Sequence, residues 1–109
     1  MPVPKNYSEF TASLTKDSPS LDWPDNLKAM WYDCKDDWES AHDIAQEMLD
    51  AQGSWIHAYL HRKEGDRFNA GYWYRQAGRE FPHCTLQEEQ YRLVIRFLDR
   101  HDPKEQGPL

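Results

Sequence analysis

His57, His61 and Glu64 stand at i, i+4 and i+7, a spacing that sets three side chains on one helix face. Two imidazoles one turn apart can reach a single divalent cation, and a carboxylate one turn on can complete three ligands. His42 follows a small residue, Ala41, on the preceding amphipathic segment and becomes a fourth ligand if the two segments stack. The sharper reading is a Zn-type site of His42, His57, His61 and Glu64, and beyond that possible zinc no cofactor is expected. The same pattern has a plainer explanation. His-x-x-x-His here lacks the internal Glu of a zinc protease, and histidines at a core boundary often serve as hydrogen-bonding side chains. On that reading Glu64 holds His61, and Asp43 or Asp33 holds His42.

A third reading is a small-ligand pocket. Arg62, Asn69 and Arg75 offer donors, Trp73 with Tyr72 or Tyr74 offers flat apolar walls, and an anion suits the arginines. A histidine base needs little tuning to work near neutral pH. No Ser or Cys stands in a recognisable nucleophile motif, so binding is expected ahead of catalysis. Cys34 falls on an apolar stripe among Asp33, Asp36 and Asp37, which favours the thiol over the thiolate. Cys84 follows His83 in a short loop, and two cysteines make no disulfide framework.

These residues must be positioned by helices. Leu27, Met30, Trp31 and Cys34 follow i, i+3, i+4, i+7, with Asp22 as the expected cap and Pro24 tolerated in the first turn. Trp38, Ala41, Ala45 and Met48 line a second helix, broadened by Ile44 and Leu49, capped by Asp36 or Asp37 and ended by Gln52-Gly53. A third helix is expected over 55–64 behind Ser54, with Trp55, Ile56, Tyr59 and Leu60 on one arc. Gly65 suits the left-handed residue that closes it, and Asp66 caps a fourth over 67–77. Phe68, Tyr72, Trp73, Tyr74 and Ala77 make that fourth helix apolar nearly all round, as for an element packed on two sides. Gly78 and Pro82 stop it. Thr85-Leu86-Gln87-Glu88 is a capping box opening a last helix to about residue 100. Its stripes are Tyr91, Val94, Ile95 and Leu98, and Leu93 with Phe97. No segment alternates with a period of two, so the class is all-α.

The first two helices align with the next two at an offset of 29. Ala29 falls on Ala58, Asp36-Asp37 on Gly65-Asp66, Ser40 on Asn69 and Ala41 on Ala70. This predicts two stacked antiparallel hairpins with a C-terminal capping helix, which together bury a core neither hairpin buries alone. WYDCKDDWESAHDIAQ at 31–46 and SWIHAYLHRKEGDRFNAGYWYRQAG at 54–78 resemble a family of small uncharacterised helical proteins. Its hallmark is His-x-x-x-His-Arg-x-Glu-x-Asp followed by Asn-Ala-x-Tyr-Trp-Tyr-Arg. The pattern is also similar to tetratricopeptide-like repeats. The resemblance implies the helical fold and carries no activity with it.

The chain has 109 residues, 29% charged and 39% hydrophobic, with five Trp and a formal net charge of -6. That length fits one domain, read as a flexible N-terminal arm over 1–20, a helical domain over 21–100 and a flexible tail over 101–109. The arm is expected to dock a short turn near Tyr7 and Phe10. No apolar stretch reaches the roughly 18 residues of a membrane span, and the N-terminus has no signal-type apolar core, so a cytoplasmic protein is expected. Residues 1–53 carry 11 acidic and 4 basic side chains, and 54–109 carry 8 and 9. The acidic excess (Asp25, Asp33, Asp36, Asp37, Glu39, Asp43, Glu47, Asp50) reads as a solvated face or as a surface for a basic partner. Arg62, Lys63, Arg67, Arg75 and Arg79 lie among aromatics in the manner of a single-strand clamp, but overall acidity speaks against nucleic acid. The leading expectation is a helical-repeat interaction or scaffold module for a peptide or protein, or for another copy, with one or two of the tryptophans exposed in its groove.

Overall fold

The computed structural model describes residues 2–99. Among them are six α-helices and no strand: α1 Tyr7–Ala12, α2 Asp25–Cys34, α3 Trp38–Glu47, α4 Ala51–Lys63, α5 Arg67–Gln76 and α6 Leu86–Asp99, with a 3-10 turn at Ser13–Thr15 after α1. The expected tail at 101–109 lies outside the described residues.

The connections explain the order of the helices. Only 35–37, 48–50 and 64–66 separate α2 through α5, and links so short make consecutive helices antiparallel neighbours. The turns after α2 and α4 are built alike. Asp36 and Gly65 take the left-handed conformation, at φ 62° and 93°. The Asp36 N–H donates to Asp33 O and the Asp37 N–H to Tyr32 O, while Gly65 and Asp66 donate to Arg62 O and His61 O. All four bonds repeat at the offset of 29, in the pattern that satisfies the last carbonyls of a helix. Asp37 and Asp66 then cap α3 and α5 by accepting from the N–H groups of Ser40 and Asn69. Thr85 and Glu88 form the expected capping box at α6.

Two boundaries differ from expectation. Asp22 does not cap α2, whose N-cap is Pro24 without a side-chain bond. Gly53 does not stop a helix but lies in the first turn of α4, which begins four residues before the expected 55 under an Asp50 cap. A Cβ at Gly53 would stand 2.5 Å from the Met48 Cβ, so the glycine lets the end of α3 approach α4. Residues 2–20, set apart by composition, carry α1, bury Phe10 and accept two indole N–H bonds, Trp23 to Pro2 O and Trp31 to Ser13 O.

The core joins Phe10, Trp23, Leu27, Met30 and Trp31 to Ile56, Tyr59, Leu60, Tyr74, Leu93, Val94 and Phe97. Its central element is α4, buried continuously from Trp55 to Leu60 and packed against α2, α3, α5 and α6. The helix expected to be packed on two sides, α5, buries only Ala70 and Tyr74. Phe68 is 86% exposed, and Tyr72 is also open to solvent. No tryptophan is exposed: Trp23, Trp31 and Trp55 are buried, and Trp38 and Trp73 are half-buried. Of the acidic group on α2 and α3, Asp33 is buried and the others are exposed. No helix among the described residues is long and apolar enough to cross a membrane.

Candidate metal centre

Three of the four expected ligands meet. One potential ligand atom from each of His42, His57 and His61 lies within 4.8 Å of the others. His42 comes from the middle of α3, which starts under the Asp37 cap, and His57 and His61 lie one turn apart on α4. The small, buried Ala41, Ala45 and Ala58 let the two helices come close enough for the rings to touch.

The rings are fixed by stacking. Trp38, one turn before His42 on the same helix, stacks on it at 4.8 Å between centroids and 10° between planes. Trp73 of α5 stacks on His57 at 4.0 Å and 10°. The Trp38 indole N–H donates to Leu60 O at 2.8 Å, which pins that ring to α4. His57 and His61 lie nearly face to face at 4.9 Å.

The nitrogen atoms have distinct surroundings. His42 Nε2 and His57 Nε2 face each other at 3.0 Å, so one neutral ring donates and the other accepts, or both direct lone pairs at a common centre. His61 Nδ1 lies 2.7 Å from Glu64 Oε2, leaving Nε2 for the cluster. Burial, together with the neighbouring His42 and His61, pushes the His57 pKa down from its ordinary 6.5 to about 4. Burial and His61 lower that of His42 as well. Two of the three imidazoles are thereby held in the neutral form that metals require.

Glu64 stands outside the trio as the carboxylate that orients His61. Such partners fix the ring and raise its basicity in metal sites. Glu64 also lies with His61 and Asp66 in a second, more exposed group of potential ligand atoms within 4.8 Å of one another. The carboxylates expected for His42 do not serve it: His57 is its partner, and Asp33 accepts instead from Tyr59, Lys63 and Gln90. A cavity of about 230 Å³ beside His57 and Trp73 is lined by apolar Ala45, Met48 and Leu49 and by polar Gln46, Ser54 and Gln76.

The expected small-ligand set of Arg62, Asn69, Trp73 and Arg75 is not brought together. Trp73 lies on His57. Arg62 donates to Glu89 Oε1 at 2.7 Å and to the Cys84 carbonyl, and Asn69 donates to Asp66 at the α5 cap. Arg75 is exposed. Cys34 is half-buried, its thiol pushed up to about 12 by burial and by Asp33, which matches the expected packing role. Sequence reasoning missed the part of Trp38, although its i, i+4 spacing to His42 was there to read. It also missed Glu89, which falls on the Leu86, Leu93 and Phe97 stripe, where a carboxylate must find buried partners.

Comparison with family models, with curated proteins and with solved structures finds no match to this chain.

Proposed function

We propose that the chain is a helical metal-binding protein whose centre holds one zinc-type divalent cation on His42, His57 and His61. The observation that carries this reading is the convergence of three imidazole nitrogens from two helices. A tetrahedral ion with bonds of about 2.0–2.1 Å places its ligand nitrogens roughly 3.3–3.4 Å apart. The His42–His57 separation is already 3.0 Å, and His61 offers a ligand atom within 4.8 Å of both. Glu64 holds His61 from behind, and a fourth position is left for water or a small ligand, as in three-histidine zinc sites.

The finer architecture belongs to the same reading. α2–α3 and α4–α5 act as two stacked tetratricopeptide-like hairpins with α6 closing the end, and the ion staples the second helix of one pair to the first of the next. The repeated turns at Asp36 and Gly65 support this arrangement. Exposed Phe68 and Tyr72 on α5 favour a second role, that of an interaction module for a peptide or protein in the cytoplasm.

Zinc titration of the metal-free chain tests the first reading. One ion per chain is expected, with a melting temperature that rises with zinc concentration and a response that disappears in His42→Ala. Absence of both heat and thermal shift overturns it.

A further inference from the structure

A second place in the molecule gathers three arginines around one cavity. The connection between α5 and α6 arches over the side of α6 and leaves a cavity of about 360 Å³, lined by Trp55, Arg79, Pro82, Tyr91, Arg92 and Arg96 among others. Arg92 and Arg96 are one turn apart on α6 and share a face. Arg79 lines it from the connection after α5, its guanidinium over Trp55 at 3.4 Å from the ring centroid.

Acidic groups are present but committed or distant. Glu89 forms the floor, and its carboxylate is taken up by Arg62, Tyr74 and Trp55. Glu80 and Asp99 line the cavity as well. Among the described residues no carboxylate comes within 4.0 Å of Arg79, Arg92 or Arg96. Burial and the charge of Arg96 work against the Arg79 cation, and Glu89 offsets them in part. Three guanidiniums that line one volume without a directly paired carboxylate leave their forked donors open to an oxyanion.

We propose that this cavity is a binding site for a small organic oxyanion, with Arg79, Arg92 and Arg96 holding the anionic group and Trp55, Pro82 and Tyr91 covering a compact flat body. Guanidinium forks match phosphate and carboxylate oxygens in pairs, and the volume lies at the small end of ligand pockets. The site is separate from the histidine centre and does not depend on it.

Calorimetric titration of the metal-free full chain with phenyl phosphate, benzoate and inorganic phosphate tests this. Saturable binding of one phenyl phosphate or one benzoate per chain supports the site, and whichever binds more tightly identifies the anionic group. Inorganic phosphate is expected to bind more weakly than phenyl phosphate, because it leaves the aromatic walls unfilled. Arg92→Gln/Arg96→Gln, whose side chains are exposed and whose helix content is expected to be unchanged, should weaken binding about tenfold or more. His42→Ala should leave it intact. No saturable binding of any probe at millimolar concentration, or equal affinity in the double variant, overturns the proposal.

Discussion

The histidine centre and the two buried carboxylates are polar groups in the same small core, yet they are partnered in opposite ways. Asp33 accepts from Tyr59, Lys63 and Gln90 at 2.7–2.8 Å. Glu89 accepts from Trp55, Tyr74 and Arg62. Each negative charge is matched by a cation and by neutral donors, and together these bonds tie α4 to α2 and α6, and α6 to α2 and α5. The three histidines face one another and two indole rings, with Glu64 bonded to His61 at the edge and Asp66 beside it. A saturated group holds a fold together. A group with spare lone pairs, kept neutral and aimed at its neighbours, is fitted to take up something else.

The largest expected effect comes from breaking the saturated side. Glu89→Ala leaves Arg62 charged and two further donors without an acceptor, and should cost about 3–5 kcal/mol by chemical denaturation. If the loss is under about 1 kcal/mol, the contrast between the two regions fails. His57→Phe keeps a flat ring on Trp73 and removes the central ligand. Without metal it should change stability by less than about 1.5 kcal/mol. The stabilisation by zinc, about 2.7 kcal/mol at a hundredfold excess over Kd, should vanish.

The same variant sharpens the acid response. The His57 pKa is about 4 in the fold against 6.5 ordinarily, so the unfolded chain binds the proton first as pH falls. The neutral ring's contribution is complete above pH 6.5 and is lost progressively down to pH 4. Denaturation at stepped pH should show that part of the slope in the parent and not in His57→Phe.

Smaller effects test the repeated turns. Asp36→Gly frees a left-handed aspartate and should add about 0.5–1 kcal/mol, while Gly65→Ala should cost at least as much. Phe68→Ser, at a site 86% exposed, should alter stability by no more than about 0.5 kcal/mol and binds no argument to the core.

Much of this could be read from the chain, because the relevant signals are local. Asp37, Gly65-Asp66 and Thr85 with Glu88 each act on backbone groups within a few positions, and the histidine spacing needs only one helix and its neighbour. What escaped depends on distant contacts. Aromatics surround α5, and periodicity cannot say which of them finds a partner, so Phe68 was expected inside. Gly53 reads as a stop by its type alone, and only the nearness of Met48 explains its place within α4. Arg62 was read as a ligand-binding donor because nothing local reveals Glu89 across the core.

Two of the five tryptophans are built into the histidine centre. Trp38 and Trp73 each lie parallel to an imidazole, while the other three are buried elsewhere. Charge arriving at those imidazoles, whether as a proton or as an ion, comes into direct contact with an excited indole. The molecule's own fluorescence thus serves as an internal gauge of what the centre holds, with no label attached.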